Sequence, residues 1–460
     1  MDDAGGRVRR TYQVISCDGH LETPPDDWAP FVPEKYRADA PRMVTDENGV
    51  PCIAFRDMPL TPVGPEASCG DDPRVLRRTG NSYYEADGVT RRPGVGDAVQ
   101  KLNEQDMDGI DAEFLYPPSF ANRFLPRHPE REGYLSLLRA YNTWMAEGYC
   151  AIAPDRLIGI AMIPVCGIDD AIAEMKRCRK IGLRAVSLNH WPNGGGRNLP
   201  EDDRFFAACL DEDMRISPHI WIGDAIPSVT NAKETMAKRM GVTTFGDFSS
   251  GSLIEGPENP DRRFYGFKTP NRTAGNIVEL ALNGVFDRFP ALKLHFAECR
   301  SGWVAEWLEH CMDIHLQTKY WYNVEIKRPL DEYVREHILF NFIRGYHDAH
   351  NLHLWGGEHN VTWGADMPHN ASTFPFSREW IDRSFDGESP KLRRLILAEN
   401  IARFMGFDLN AELTPTPPGG PYEHPTLAKW PGFRKDENGR YVAAEAASQG
   451  PMRAGAPQPA

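Results

Sequence analysis

The sequence has no apolar run long enough to cross a membrane. None of its 460 residues belongs to a run near the ~20 apolar positions of a spanning helix, and segment 1–6 lacks the apolar core of a secretory signal. Basic residues are not in excess either, because 65 acidic side chains stand against 52 basic ones and the net charge is −13. Nucleic acids and anionic membranes require a basic surface, so we expect neither as a partner.

Paired cysteines are also missing. The nine cysteines lie between Cys17 and Cys311 without a single CxxC spacing. An odd number of cysteines without metal-ligand spacing argues against a disulfide framework and against a zinc ribbon. We therefore expect reduced thiols, which are typical of the cytoplasm.

From about Thr11 onward, short β-branched runs alternate with longer helical patterns. This alternation is typical of βα units around a parallel sheet. Eight runs have the length and apolar character of strands, and they lie at 12–17, 112–116, 157–163, 185–188, 216–222, 292–297, 338–343 and 361–364. Eight is the number that a closed barrel needs, so the predicted fold class is α/β, a (β/α)8 TIM barrel.

The predicted barrel takes up residues 12–410. Two polar stretches, 42–100 and 225–275, interrupt it after a strand end, and we expect both to form a lid or cap on the C-terminal face of the barrel. Residues 411–460 are rich in Pro, Gly and Ala, and this composition predicts an extended C-terminal arm or tail.

Acidic and imidazole side chains follow four of the eight runs. Asp18 and His20 follow the first run, and His219 comes directly after Pro218 in the fifth. Glu298 follows the sixth run and Asp366 the eighth. In a parallel barrel the carboxyl ends of all strands meet at one mouth, where imidazoles and carboxylates can bind a divalent metal ion. The sequence therefore predicts a metal-dependent enzyme.

Each of these side chains also has a purely structural interpretation. Asp18 and Asp366 can cap a turn or a helix. His219 can be a hydrogen-bonded core residue, and Glu298 can form an ion pair with Arg300. Their combined order along the chain is much less expected by chance, and this order favours the metal site.

Six segments carry a more specific pattern. They are CDGHLETP at 17–24, MDGID at 107–111, YNTW at 141–144 with APDRL at 153–157, LKLHFAECRSGW at 292–303, WGADMPH at 363–369 and ENIAR at 399–403. Over about residues 12–407 they resemble the amidohydrolase superfamily, in the branch called amidohydrolase family 2. That branch contains aminocarboxymuconate semialdehyde decarboxylase and the resorcylate and carboxyvanillate decarboxylases. The first segment is similar to its D-x-H-x-x-E-P variant, with Thr23 inserted before the proline.

The resemblance implies a divalent metal ion held by Asp18, His20, His219 and Asp366. In the semialdehyde decarboxylase the first-strand pattern is H-x-H, and Asp18 replaces its first histidine here. The sixth-strand catalytic histidine of that enzyme corresponds to Glu298. The expected cofactor is a divalent ion of zinc, manganese or iron. A carboxylate in place of an imidazole suits manganese(II) or iron(II) better than zinc.

Catalytic roles are expected for three residues. Glu298 is predicted to be a general acid or base, Asp366 a ligand or proton shuttle, and His369 a participant from the eighth-strand loop. Four more residues are predicted to bind the substrate: Arg123 and Arg344 by bidentate bonds to a carboxylate, and His190 and Trp191 as pocket wall. Surface salt bridges and ordinary rim packing are the structural alternatives for these four.

The leading hypothesis is a metal-dependent hydrolase or non-oxidative decarboxylase that acts on a small carboxylated substrate, aromatic or unsaturated. An alternative is a dinuclear iron or manganese monooxygenase on the same fold, because ligand-type residues are in surplus. These are Glu22, His295, Glu298, His347, His350 and His369. A third alternative is a non-catalytic partner subunit of a hetero-oligomer. The resemblance itself implies a homo-dimer or a higher oligomer.

Overall fold

The computed structural model describes residues 10–63, 82–85, 87–223, 271–322, 326–418 and 424, together with the backbone of 433–435 and 441–443. Eight parallel strands form one sheet whose spatial order follows the sequence. They are β1 (Ile15–Ser16), β2 (Ala112–Leu115), β3 (Leu157–Met162), β4 (Ala185–Ser187), β5 (Arg215–Ile216), β6 (Leu294–Phe296), β7 (Ile338–Phe342) and β8 (Val361–Trp363). Each lies within, or one residue from, a run predicted to be a strand.

Hydrogen bonds join the first strand to the last. The Cys17 N–H donates to the Trp363 carbonyl at 2.9 Å, and the Ala365 N–H donates to Ser16 Oγ at 2.9 Å. Because β1 thereby pairs with β8 on one side and with β2 on the other, the sheet closes on itself. The predicted (β/α)8 TIM barrel is confirmed.

Side chains alternate between two apolar clusters along the strands, as the two-residue period of a strand requires. Phe114 and Ile160 belong to an inner cluster to which five strands contribute. Leu115 and Ala161, one residue further, belong to the larger cluster between the sheet and the helices. Phe404, in the closing helix, packs on the inner cluster. The core is therefore fixed from both sides of the sheet.

The helices lie between the strands and after them. Their bounds are Glu34–Arg37, Ala98–Asp108, Ser119–Phe124, Arg131–Thr143, Ile168–Lys180, Asp203–Asp211, Asn271–Leu282, Val285–Arg288, Val304–Tyr322, Leu330–His337, Tyr346–His350, Ser377–Ser384, Pro390–Arg394 and Asn400–Met405, with π-helical turns at Trp144–Tyr149 and Leu395–Glu399. Within this described part of the chain, no helix combines the length and the apolar character that a membrane-spanning helix needs.

The fifth strand is much shorter than the predicted run 216–222. It ends at Ile216 because Pro218 has no N–H to donate to a ladder. Ile220 then has a φ of 60°, in the left-handed region that breaks an extended strand. A single bridge between His219 and Ala297 keeps this segment beside β6.

The predicted insertions are described only in part. Within 42–100, three short antiparallel strands form a separate sheet, at Arg42–Thr45, Pro51–Ala54 and Thr61–Pro62. Most of the predicted insertion 225–275 lies outside the described residues. The start of the C-terminal arm lies against the barrel, where the Leu413 N–H donates to the Arg10 carbonyl at 3.0 Å and Thr416 Oγ1 accepts from Arg156 at 2.9 Å. The lid role of the insertions stays a prediction.

Candidate metal centre

The strand ends that carry the candidate ligands are joined in pairs. The Asp366 N–H donates to the Asp18 carbonyl at 2.7 Å, so the segments after β8 and β1 continue to pair. The Ile220 N–H donates to the Ala297 carbonyl at 2.8 Å, and this bond joins the segments after β5 and β6. As a result, side chains that lie up to 348 positions apart in sequence face the same point at the barrel mouth.

Two histidines and two aspartates converge there. His20 Nε2 lies 3.2 Å from Asp366 Oδ1, and His219 Nε2 lies 3.3 Å from Asp18 Oδ1. The two Nε2 atoms of His20 and His219 are 3.1 Å apart. Ligand atoms bound to one ion at about 2.1 Å lie roughly 3.0–3.4 Å from one another. These four side chains therefore fit a divalent cation, and they are the four that the resemblance implied.

Buried charge points to the same conclusion. Asp18 and Asp366 are completely buried. Within the described residues, none of their four carboxylate oxygens takes part in a well-formed hydrogen bond. Buried carboxylates without such partners are costly unless a cation compensates them. A divalent ion supplies this compensation, so the donor set fits a metal ion in its charge as well as in its spacing.

The backbone is strained at these strand ends. Glu298 has a φ of 54° and Asp366 a φ of 52°, which non-glycine residues rarely adopt. Such outliers are concentrated at functional sites. Gly364 is required for a related reason, because a Cβ there would lie 2.4 Å from the Asp18 Cβ. The two strands therefore approach each other closely at the point where their carboxylates meet.

Two further titratable side chains lie next to these ligands. Glu298 Oε2 is 3.7 Å from His219 Nε2. His369 stacks on His20 with ring centroids 3.6 Å apart, and its Nδ1 is 3.1 Å from Asp366 Oδ1. The other nitrogen of His369 faces Glu22 at 3.6 Å. The predicted catalytic residues are thus brought together at the centre.

The electrostatics separate the protonation states of these groups. Burial, with the negative charge of Asp366 next to it, raises the pKa of Glu298 to about 8. Burial lowers the pKa of His20 well below its usual value, which favours the neutral imidazole that binds metals. Burial also opposes the charged form of His369, but Asp366 and Glu22 outweigh it and raise the pKa. Glu298 is therefore mostly protonated near neutral pH.

The predicted substrate-binding residues lie in different surroundings. The Arg344 guanidinium lies 4.8 Å from the Trp380 ring centroid and donates to the Ser372 carbonyl. Burial lowers the pKa of Arg344, and the charge of Asp366 partly offsets this effect. Arg344 thus lies within electrostatic reach of the centre. Arg123 lies in the helix after β2, and its side chain is outside the described residues.

The end of β4 borders a small cavity lined by both polar and apolar residues. His190 lines this cavity together with Leu125, Met162 and Ile163. Trp191 is completely buried in the outer core and is not among the lining residues. Of the two predicted wall residues, the structure therefore places His190 at a cavity and Trp191 within the protein interior.

The remaining surplus histidines lie apart from the ligand clusters of the described chain. His295 is fully buried between Ser217 Oγ, at 2.8 Å, and Thr362 Oγ1, at 2.9 Å. His347 and His350 lie in the short helix after β7, where the ring of His350 bonds to two backbone carbonyls. His295 and His350 are structural in their contacts.

One residue of the site is not evident from the sequence. Tyr116 is buried, and its ring centroid lies 5.0 Å from that of His219 and 5.9 Å from that of His20. Its hydroxyl contacts Ser217, which in turn contacts His295. The position of Tyr116 at the end of a predicted strand, before Pro117, is the one signal that could have indicated it.

Comparisons with known proteins agree with this architecture. A family model described as amidohydrolase matches residues 135–407, more than half of the chain. No curated protein sequence matches the chain.

Three solved structures illustrate the likeness of fold. The chain is similar to an amidohydrolase from Mycobacterium avium subsp. paratuberculosis, with a TM-score of 0.62 and 17% identity over 87% of this chain and 99% of that one. It is similar to 5-carboxyvanillate decarboxylase from Sphingomonas paucimobilis, with a TM-score of 0.53 and 18% identity over 86% of this chain and 99% of that one. It is also similar to a 5-carboxyvanillate decarboxylase from Novosphingobium aromaticivorans, complexed with manganese and a nitrobenzoic acid. This likeness has a TM-score of 0.51 and 15% identity over 86% of this chain and 96% of that one.

The family model covers six of the eight strands in full, β3 to β8, and ends just after the closing helix Asn400–Met405. His219, Glu298 and Asp366 lie within the matched range. The barrel, the ligand set at its mouth and the matched family model agree with one another, and the chain belongs to the amidohydrolase family.

Proposed function

We propose that this protein is a metal-dependent enzyme that removes the carboxyl group from a small aromatic or unsaturated carboxylic acid without an oxidant. The observation that carries the proposal is the position of Glu298, whose carboxyl group lies beside the candidate metal-binding set and has a raised pKa. Decarboxylation requires a proton at carbon, and a carboxylic acid that is still protonated at neutral pH can donate it. The 5-carboxyvanillate decarboxylases of the same fold support this choice.

Asp18, His20, His219 and Asp366 would hold the metal ion. When bound, a divalent ion would polarise a substrate oxygen and orient the neighbouring carboxylate. The mixture of oxygen and nitrogen ligands suits manganese(II) or iron(II), and zinc remains compatible with it.

The protein side chains supply the remaining chemistry. Glu298 donates its proton to the substrate carbon that bears the carboxylate. The bond between that carbon and the carboxylate then breaks, CO2 leaves, and its electron pair restores the unsaturated system. Arg344 would bind an anionic group of the substrate through its guanidinium. His369 lies between Asp366 and Glu22, and it would hold a proton beside the ligand set.

The test is CO2 release from a panel of hydroxybenzoic acids, under argon and with Mn2+, followed by mass spectrometry of the product made in D2O. We expect one deuterium at the former carboxyl carbon and no turnover by Asp366→Asn. Hydrolysis would instead introduce 18O from labelled water into a product. Turnover by a metal-loaded Asp366→Asn variant would contradict the assignment of the site.

A second candidate is oxygen-dependent chemistry at two metal ions. It is favoured by the number of ligand groups, because three overlapping sets each place three ligand atoms within 4.8 Å of one another. The second and third sets add His369 and Glu298 to the four residues above. Elemental analysis separates the candidates: about one ion per chain with activity under argon favours decarboxylation, and two ions with strict oxygen dependence favour a monooxygenase.

A further inference from the structure

The segment that carries Glu298 is held in an unfavourable backbone conformation. Glu298 has a φ of 54° and Arg300 a φ of 61°, so two left-handed non-glycine residues stand two positions apart. The backbone of these residues would relax to negative φ unless contacts outside the segment prevented it. We call residues 298–302 the Glu298 turn.

Asp348 makes most of the side-chain contacts with this turn. Its carboxylate accepts from the Ser301 and Gly302 N–H groups, the latter at 2.8 Å. The same carboxylate receives Arg300 Nη2 at 2.9 Å, and its backbone carbonyl accepts from Ser301 Oγ at 3.0 Å. Asp348 is completely buried, so water does not compete for these bonds.

Asn341 holds the other end of the turn. Its side-chain oxygen accepts from the Glu298 N–H at 3.1 Å, and its carbonyl accepts from the Arg300 N–H at 2.8 Å. Asn341 lies in β7, and Asp348 lies in the short helix Tyr346–His350 that follows. The β7 unit therefore fixes both ends of a turn that belongs to β6.

We propose that Asp348 is a positioning residue that keeps the Glu298 carboxyl group at the metal centre. The proposal rests on the proposed function of Glu298. Without the Asp348 carboxylate, residues 300–302 lose four hydrogen bonds and the turn relaxes, which moves the Glu298 side chain away from His219. A residue that only capped the helix Val304–Tyr322 would stabilise the fold but would not act through Glu298.

The chain offers a matched control in Asp202. This aspartate is also completely buried and stands immediately before the helix Asp203–Asp211. Its carboxylate accepts from the Asn193 N–H at 2.9 Å and from the Leu199 N–H at 2.8 Å. It belongs to the loop after β4, so Asp202→Ala removes a comparable set of bonds from a segment that carries no proposed ligand.

The experiment is a double-mutant cycle on Mn2+ affinity, measured by titration calorimetry with the full chain. At pH 9 under argon, where the Glu298 carboxyl group is ionised and its charge attracts the cation, we expect Asp348→Ala to raise the Kd for Mn2+ about tenfold, in the range for groups that orient a metal site. In a Glu298→Gln background the same substitution should change the Kd less than about twofold, because the carboxylate through which it acts is already gone. Asp202→Ala should leave the Kd unchanged.

Two outcomes would contradict the proposal. An unchanged Kd in Asp348→Ala would overturn it, and so would a tenfold effect that persists in the Glu298→Gln background. Neither result touches the role of Glu298, which fails separately if Glu298→Gln retains full turnover. If Asp348→Ala does not fold, Asp348→Asn keeps an acceptor oxygen for the turn and loses only the charge opposite Arg300, and a smaller effect with the same dependence on Glu298 is then expected.

Discussion

The Nε2 atoms of His20 and His219 lie 3.1 Å apart, although the two residues come from opposite sides of the barrel sheet, after β1 and β5. Each nitrogen also faces an aspartate, Asp366 in one case and Asp18 in the other. Because burial disfavours charge on His20, its imidazole is neutral and presents a lone pair or an N–H, not a cation. Two imidazoles and two buried carboxylates directed at one point form a candidate ligand set for a divalent metal ion.

Asp18→Asn should separate stability from metal binding. In metal-free protein at pH 7 the buried Asp18 carboxylate lies near that of Asp366 and has no well-formed hydrogen bond, with only His219 Nε2 near it at 3.3 Å, so the amide should raise the free energy of unfolding by about 1–2 kcal/mol. With Mn2+ present the order should reverse, because wild-type protein gains binding energy that the variant loses. Urea unfolding with EDTA and with Mn2+ measures both.

The control for this variant is Asp202→Asn, since Asp202 has several N–H donors. It should lower the free energy of unfolding with and without Mn2+. An Asp18→Asn protein that is less stable than wild type in EDTA would contradict the assignment of Asp18 as an uncompensated ligand.

Glu298→Gln should reduce turnover by about 10²–10⁴-fold, because the amide has no proton to donate. At saturating Mn2+ the variant should still bind the same number of ions per chain, and its Kd should be weaker only above the pKa of about 8 at which Glu298 becomes negatively charged. Steady-state kinetics and elemental analysis measure the two effects. An equal loss of turnover and of bound metal would identify Glu298 as a ligand instead.

His295 should make the stability of metal-free protein depend on pH. Burial, with the charge of His219, lowers the pKa of His295 to about 3, against about 6.5 in the unfolded chain. Between pH 3 and pH 6.5 the unfolded chain therefore binds one proton more at His295 than the folded chain does. The contribution of His295 to the free energy of unfolding is complete above pH 6.5, and it falls by up to ~1.4 kcal/mol for each pH unit below 6.5.

His295→Gln should remove this share while it keeps bonds to Ser217 and Thr362. Urea unfolding in EDTA at pH 6, 5 and 4 should therefore show a smaller loss of stability in the variant than in wild type. The difference between the two slopes should correspond to about one proton. His353→Gln, at an exposed position, is the control. Identical slopes for wild type and His295→Gln would refute the neutral, buried state of His295.

Gly364→Ala should disrupt the metal centre. The added methyl group would lie 2.4 Å from the Asp18 Cβ, so β1 and β8 must separate. We expect a loss of about 1–3 kcal/mol in the free energy of unfolding and weaker Mn2+ binding. Gly275→Ala is the matched control, because no atom lies within 4 Å of its added Cβ and its helical position should gain stability. Normal Mn2+ affinity in Gly364→Ala would contradict the close approach.

Local patterns were sufficient to predict the barrel and most of the centre. Each strand is a short apolar run, and a polar residue after such a run, as in Asp18 or Asp366, is visible without any knowledge of its spatial neighbours. The fifth strand was predicted too long because apolar residues continue past Pro218, where the ladder loses its donor. The burial of Trp191 could not be predicted from local patterns either, because it depends on side chains that pack on it from other elements.

Contacts between distant segments could not be predicted in this way. The bonds from Asp348 to Ser301 and Gly302 join residues 46–47 positions apart, and no local pattern signals them. Tyr116 reaches Ser217 across 101 positions. Such pairs depend on the closure of the barrel, which fixes the order of the strands but is not encoded in any one of them.

The bond from Ala365 to Ser16 spans 349 positions and joins the two edges at which the barrel closes. Asp18 and His20 lie on one side of this seam and Asp366 on the other. An ion bound by these residues would connect the two sides of the seam and so hold the first βα unit to the last. Metal-free protein should therefore open along this line before anywhere else in the sheet, and amide exchange at Cys17 and Asp366 should respond to Mn2+ more strongly than exchange in β3.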